Sequence, residues 1–350
     1  MRTANIAVPS PATRSFRVPL PVKVAAFCLL WSSAFAAAKI SIADCPPLIV
    51  LTARFLIAAA VTFGAAAIVG IPLSLRRRDL LVFALLGIAN QAIFLGLSYV
   101  GISSTSSGLA ALIISSNPVL TAVLAVAFLN ERMTWRKATG LMLGVAGVVF
   151  VVQGRLTGSV DHPIGIALLL MSLVSLVGGT ILYKTFAPAG DLWGGLWVGN
   201  GVQSLSAGLA TLPFAFAFES MGDIVPSWRL AGSLVYLAVF VSVFAYLLWF
   251  HLLNVFGATA ASSYHFVMPP LGLLFGWLLL GEQVAPTDLV GIVPVAIGIY
   301  LVTRPARTER RRRGNDKVPA GPTSARANPC TIRSNHLIVE SSNAACLDRQ

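Results

Sequence analysis

The chain alternates long apolar runs with short polar breaks that contain Asp, Gly and Pro. Each run has about the 20 residues that an α-helix needs to cross the hydrocarbon core of a bilayer. The runs are continuous and lack the alternation that is typical of lipid-facing strands. Ten membrane-spanning helices are predicted, at about residues 22–42, 47–70, 80–100, 104–129, 135–153, 163–186, 193–216, 229–250, 256–280 and 286–303. The predicted fold class is therefore an all-α integral membrane protein.

Two stretches of the chain repeat each other at a constant spacing of 151 residues. The repeated positions are Ala110, Pro118, Leu120, Leu129, Glu131, Gly140, Gly147 and Val151, which recur as Ala261, Pro269, Leu271, Leu280, Glu282, Gly291, Gly298 and Val302. Ten spans divide into two halves of five, and because five is odd, the second half enters the membrane from the opposite side. We therefore predict two inverted five-helix repeats, at 21–155 and 160–304, with a substrate path between them.

Composition supports a membrane protein, and the placement of basic residues predicts its orientation. Only 11% of residues are charged and the mean hydropathy is +0.81, whereas soluble domains are roughly 25% charged. Under the ten-span count, the basic clusters all fall on one side, so both termini, including the segment 1–20, are expected in the cytoplasm. These clusters are Arg14, Arg17 and Lys23; Arg76, Arg77 and Arg78; Arg132, Arg136 and Lys137; and Arg310 to Arg313. The opposite side receives Asp44, Asp161, Glu219, Asp223 and Asp288, with only the scattered basic residues Arg155 and Arg229.

The two ends of the chain admit other interpretations. A cleavable signal peptide is an alternative for the first span, but its removal would leave nine spans and an unmatched half. The net charge of +12 would favour nucleic acid if it were spread over a soluble surface. The run Arg310–Arg313 directly follows a span, however, so we expect it to contact anionic lipid headgroups, with no nucleic-acid partner. The basic tail at 305–350 is polar and aperiodic and is predicted to be disordered.

The sequence contains no constellation that is typical of a metal site or an enzyme. The four cysteines are dispersed and lack metal-ligand spacing, so we expect no disulfide, metal or cofactor. Paired aspartates, an HExxH pattern, a strained-serine motif and a phosphate-binding Gly-Lys-Ser/Thr loop are all missing from the sequence. The chain is therefore not predicted to be an enzyme.

The repeated prolines give the best indication of a binding site. Pro118 and Pro269 fall in the middle of their spans, where a proline removes a backbone hydrogen bond and kinks a helix. Irregular backbone is tolerated at that depth beside protein or a water-filled cavity, although bending for packing alone is the alternative. The candidate cavity residues combine aromatic faces with amide and hydroxyl groups, which suit small amphipathic metabolites. They are Trp31, Asn90, Gln91, Ser116, Asn117, Tyr183, Tyr246, Tyr264 and His265.

Four ionisable residues in or near the spans have specific expected roles. Arg54 lies about 10 Å deep in its span and needs a carbonyl or carboxylate partner. Glu131 and Glu282 close the two proline-containing spans; each either favours the start of the next helix or forms a gate with a basic residue. Two roles are open for His265, because histidine is the side chain whose ordinary pKa lies near neutrality. It either carries a coupling proton or contacts an anionic substrate, or it is a neutral, hydrogen-bonded histidine.

Glycine pairs at a spacing of four are predicted to let helix backbones approach closely. The pairs are Gly140 with Gly144, Gly195 with Gly199, and Gly272 with Gly276.

Several segments resemble the EamA family of the drug/metabolite transporter superfamily. They are WSSAFAAAKI at 31–40, Arg54-Phe55, the long block at 106–150, AYLLWF at 245–250, and the second proline and Gly-Glu block at 269–282. The resemblance covers about residues 20–304. It implies a ten-helix, five-plus-five exporter, usually in an inner membrane, that moves amino acids, other metabolites or toxic compounds.

The doubled organisation and this resemblance together predict a secondary transporter that works by alternating access. A non-transporting receptor or assembly scaffold is the alternative, because it needs no particular chemistry. The expected partners are a small-molecule metabolite and membrane lipid. A homodimer is left open.

Overall fold

The computed structural model describes residues 18–102, 104–105, 113–153, 162–187, 195–280, 290 and 292–303. Every regular element in these ranges is helical. The helices are α1 (Leu20–Asp44), α2 (Pro47–Val69), α3 (Arg77–Ile102), α4 (Ile113–Leu129), α5 (Trp135–Gln153), α6 (Pro163–Phe186), α7 (Gly195–Phe218), α8 (Trp228–Phe256), α9 (258–280) and α10 (Ile292–Thr303). Residues 1–17, Asp161, Glu282, Asp288 and the tail beyond 303 lie outside the described ranges.

Within the described part of the chain, six helices are long and apolar enough to cross a membrane: α1, α2, α3, α6, α7 and α8. Ile113–Leu129 and Val293–Thr303 are shorter apolar helices. The all-α class is confirmed and the helix order agrees with the predicted spans. The count of ten spans stays a prediction, because the structure supplies six helices of sufficient length.

One predicted boundary is wrong by six residues. The apolar run of the eighth span ends at residue 250, but α8 continues to Phe256. The polar residues beyond 250 stay in the helix because they find partners: His251 lies 3.1 Å from Lys23 Nζ, and Asn254 donates to the Tyr183 hydroxyl at 2.9 Å. The helix ends instead at Gly257, whose φ of 82° is strained for residues with a side chain.

The two predicted halves interlock through equivalent helices. α2 packs along α7, and α5 packs along α10. Further contacts also cross between the halves in matching pairs. The third helix of each half contacts the second helix of the other half, as α3 with α7 and α8 with α2. The fourth helix of each half contacts the first helix of the other half, as α4 with α6 and α9 with α1. This reciprocity agrees with the doubled organisation that the repeated residues predict.

Glycines allow a close crossing between α5 and α10. A Cβ atom built on Gly298 would lie 2.6 Å from the Gly140 carbonyl oxygen and 2.8 Å from the Gly144 backbone nitrogen. A Cβ on Gly140 would likewise lie 2.7 Å from the Gly298 carbonyl oxygen. The backbones of α5 and α10 therefore touch directly, as small residues permit.

The other glycine pairs are only partly explained by packing. A Cβ on Gly199 would overlap the ring of Phe83, so this position requires glycine. At Gly195 and Gly272, however, a Cβ would meet nothing within 4 Å. The prediction of close packing is wrong for these two glycines, because their helix faces meet open space in the structure.

Candidate functional site

A π-helical segment interrupts the third helix of each half. The two segments are Ile88–Ile93 within α3 and Leu237–Ala245 within α8. A π-helix widens the turn and is frequently found at functional sites. Because α3 and α8 hold equivalent positions in the repeat, the same rare irregularity occurs once in each half.

Hydrogen bonds from other helices reach both π-helices. Arg54 on α2 donates from Nε to the Ser242 hydroxyl at 2.8 Å, and Asn200 on α7 donates to the Ser242 carbonyl at 3.0 Å. The Tyr246 hydroxyl on α8 donates to the Asn90 carbonyl in the first π-helix at 3.0 Å. Arg54 and Tyr246 thus each connect one half of the chain to the π-helix of the other half.

Buried carboxamide side chains lie in the first π-helix and on the helix that packs against it. Asn90 and Gln91 lie in the first π-helix, and Asn200 and Gln203 lie on α7, which packs against it. All four side chains are at most 1% exposed. Both polar atoms of Asn90, Gln91 and Gln203, and Oδ1 of Asn200, have no hydrogen-bond partner. Such groups are rare in native interiors, which makes this cluster a candidate for contact with a polar ligand.

An aromatic cluster surrounds His265 next to the second π-helix. The His265 ring centroid lies 4.8 Å from that of Trp249, 5.6 Å from Trp31 and 5.8 Å from Phe27. Trp31 also lies 5.0 Å from Tyr246. His265 Nδ1 is 3.1 Å from the Ser262 carbonyl, whereas its Nε2 has no partner. The cluster therefore presents aromatic faces and one unpartnered ring nitrogen.

The structure brings the predicted aromatic site residues into one hydrophobic cluster. The Trp31 ring contacts the rings of Tyr246 and His265, and Asn90 and Gln91 lie in the first π-helix. Tyr183 stacks on Phe250 at 4.5 Å, and Phe250 lies 6.3 Å from Tyr246. Tyr264 is partly buried at the edge of the same cluster and packs on Phe256 at 5.7 Å.

Ser116 and Asn117 lie at the break in α4. Ser116 is half-buried in a turn. Asn117 is fully buried; its Oδ1 accepts from Thr121 at 2.8 Å, and its Nδ2 has no partner. Asn117 is therefore a further buried amide with an unused donor.

The repeated prolines lie at irregularities within α4 and α9. α4 breaks at Ser116 and restarts as Asn117–Leu129, with Pro118 in its first turn. In α9, the 3₁₀ segment Ser263–Val267 precedes Met268–Leu280, with Pro269 in the first turn. Neither proline has an N–H to donate to the residue four positions earlier, Ile114 or His265, while the backbone stays helical at Ser116 and Met268. The kink itself stays a prediction. The two breaks nevertheless occupy equivalent places in the repeat.

Glu131 and Glu219 each cap a helix that belongs to the other half. Glu131 accepts from the backbone N–H groups of Ala258 at 2.7 Å and Thr259 at 3.4 Å, at the start of α9. Glu219 accepts from those of Leu48 at 2.9 Å and Ile49 at 2.8 Å, at the start of α2. A carboxylate at a helix N-terminus satisfies free donors and complements the helix dipole. Under the predicted topology, the two caps lie on opposite faces of the membrane.

The earlier hypotheses for Glu131 are therefore revised. Its carboxylate caps α9, not α5, because the loop at Gly257 brings the α9 amides to it. The basic residue near it is Lys137, whose Nζ lies 4.0 Å from Glu131 Oε2, a distance at the outer limit of an ion pair and worth little at such exposure.

Glu219→Ala should lower the stability of the protein by about 1–2 kcal/mol, since two backbone donors at the start of α2 lose their acceptor. The thermal unfolding temperature of the purified protein in detergent measures this. Asp223→Ala is the matched control, because Asp223 is an exposed acid four residues away on the same connection. Equal unfolding temperatures for the two variants would contradict a capping role.

Comparison with known proteins agrees with this architecture. The chain matches the model of the EamA-like transporter family over residues 22–153 and again over 163–304. A protein of Archaeoglobus fulgidus named as an uncharacterized transporter is 32% identical, over 78% of this chain and 95% of its own length. A Chlamydia trachomatis protein named as an S-adenosylmethionine/S-adenosylhomocysteine transporter is 29% identical, over 78% of this chain and 85% of its own.

A protein of known crystal structure shares the fold. The superposition has a TM-score of 0.66 at 17% sequence identity and covers 81% of this chain and 96% of the other. The two family matches fall on the two halves that pack through equivalent helices, and six of the helices can cross a membrane. The chain is thus a multi-pass membrane protein and belongs to the EamA-like transporter family.

Proposed function

We propose that this protein is a secondary transporter that exports amino acids or other small metabolites by alternating access. The observation that carries the proposal is the pair of π-helices, one in each half, each bonded to a residue of the opposite half. Irregular helices at equivalent places in two repeats are typical of transporter binding sites. The unpartnered amides and the aromatic cluster around His265 would line the substrate path.

A flux assay in reconstituted vesicles tests this function. Vesicles with the purified protein are loaded with a mixture of amino acids, S-adenosylmethionine and S-adenosylhomocysteine, the last two because a relative is named for them. We expect at least one compound to leave faster than from protein-free vesicles. Repeating the assay with a pH gradient tests proton coupling, and His265→Gln should abolish the dependence on the gradient if His265 carries the proton. Equal release of every compound would contradict export of these substrates and favour the receptor or scaffold alternative.

The proposed topology has ten spans, halves at 21–155 and 160–304, and both termini in the cytoplasm of an inner membrane. Under it, Arg77 faces the cytoplasm and Asp223 faces outward; both side chains are exposed. In a cysteine-free background, a membrane-impermeant thiol reagent added to intact cells should label Asp223→Cys and not Arg77→Cys. Labelling of both after membrane disruption is the control. External labelling at position 77 would invert the orientation.

Pro118→Ala and Pro269→Ala should each reduce transport more than they reduce the amount of inserted protein. A proline disfavours helical backbone at the residue before it, so alanine would let α4 or α9 continue through its break. Transport by variants at matched protein levels measures this. Pro213→Ala is the control, since Pro213 is exposed within α7. Normal transport in both variants would mean that the breaks serve packing only.

A further inference from the structure

We propose that Arg54 binds a carboxylate of the transported substrate, so that the substrates are small organic acids or zwitterions. This inference rests on the proposed function and names the substrate class of the same site. Arg54 is 3% exposed, inside α2. An arginine stays protonated in proteins, so a full positive charge is held within the membrane-spanning part of the molecule.

The contacts of Arg54 do not neutralise this charge. Its Nε donates to the hydroxyl of Ser242 at 2.8 Å, and its side chain interacts with the hydroxyl of Tyr99. The guanidinium also lies 5.7 Å from the centre of the Phe55 ring. Within the described ranges, no carboxylate forms an ion pair with Arg54. A buried charge without a counter-charge is strongly destabilising, and a substrate carboxylate would supply the missing charge.

The groups around Arg54 are suited to the rest of an acid or zwitterion. Ser242 joins Arg54 to Asn200, whose Oδ1 has no partner. Gln203 and Ser204 follow Asn200 at the helical spacing of three and four residues, which places all three on one face of α7. Their unpartnered side-chain atoms are an amide oxygen on Asn200, an amide oxygen and nitrogen on Gln203, and a hydroxyl on Ser204. A guanidinium beside amides and hydroxyls can recognise a carboxylate in a fork geometry.

Neutral and cationic substrates fit this site less well. A neutral substrate would leave the Arg54 charge uncompensated, and a cation would be repelled by it. The competing explanation is that Arg54 is purely structural, with its charge stabilised by the hydroxyls alone. The two explanations differ in a measurable way, because only the first requires a preference for anionic ligands.

The test uses benzoate and benzamide, which have nearly the same shape and differ in charge. Their affinities for the purified full-length protein in detergent are measured by titration calorimetry and tryptophan fluorescence. We expect benzoate to bind the wild type at least about tenfold more tightly than benzamide, as expected for a charge-assisted hydrogen bond. Arg54→Gln should bring the ratio close to one, whereas Arg54→Lys should keep part of it.

Two further variants keep the test decisive. Arg229→Gln, an exposed arginine on α8, should leave the ratio unchanged. If Arg54→Gln does not fold, Ser242→Ala should still weaken benzoate several-fold and leave benzamide unaffected. Equal binding of the two probes by the wild type, or an unchanged ratio in Arg54→Gln or Ser242→Ala, would overturn the proposal. Since binding is measured without flux, a failure of transport with benzoate preference intact would contradict the proposed function alone.

Discussion

Gly298→Ala is expected to lower the free energy of unfolding by about 1–3 kcal/mol, the range of an overpacked core. The added methyl group would lie 2.6 Å from the Gly140 carbonyl oxygen and 3.1 Å from the Gly144 Cα. Backbone atoms cannot rotate away as a side chain can, so α5 and α10 must separate. The unfolding temperature of the purified protein should fall by several degrees.

Gly64→Ala provides the matched control for this substitution. Gly64 also lies inside a helix, α2, but a Cβ there would meet nothing within 4 Å. Alanine favours helix over glycine, so this variant should be as stable as the wild type or slightly more so. Comparable losses of unfolding free energy in Gly298→Ala and Gly64→Ala would show that the close approach of α5 and α10 is not the cause.

Gly179→Ala is expected to reduce transport by roughly tenfold or more, as for the displacement of a group from a pre-organised site. A Cβ at this position of α6 would overlap the side-chain oxygen of Asn90. Asn90 is 1% exposed and lies in the first π-helix, so its amide has little room to move. The rate is measured for the compound identified in the vesicle assay, at matched protein levels.

The neighbouring residue offers an internal comparison. A Cβ on Gly178 would meet nothing within 4 Å, so Gly178→Ala should transport at the wild-type rate. The two variants differ by one position in the same helix and carry the same added methyl group. If both lose transport, the effect comes from α6 itself rather than from Asn90. If neither does, Asn90 does not take part in transport.

The helices were predictable because apolar length and repeated residues are local properties of the sequence. The repeat also indicated Gly140 and Gly298 as small-residue positions, and they lie in direct backbone contact in the structure. Which helices meet, however, depends on contacts between residues that are far apart in the chain. The caps by Glu131 and Glu219 were missed for this reason: their partners, Ala258 and Leu48, belong to the other half.

The candidate site was predictable in part. Trp31, Tyr246 and His265 were grouped from sequence and lie together, although their role stays a prediction. Trp249 and Ser242 were missed, since an apolar tryptophan or single serine resembles ordinary membrane helix. Neither π-helix has a residue signature, because the extra residue per turn depends on packing. One signal was available for the amide cluster: Asn200, Gln203 and Ser204 form a polar stripe on a largely apolar span.

The contacts between the halves also determine the order in which this protein can assemble. Arg54 and Ser242 are 188 residues apart, and Leu48 and Glu219 are 171 apart. At a synthesis rate of about 5–20 residues per second, the ribosome needs on the order of 10–40 s to cover the longer interval. During that time the first half is in the membrane without the second. Arg54 then lacks its acceptor Ser242, and the first backbone amides of α2 lack their acceptor Glu219. The nascent first half is therefore the species most exposed to misassembly and to membrane proteases.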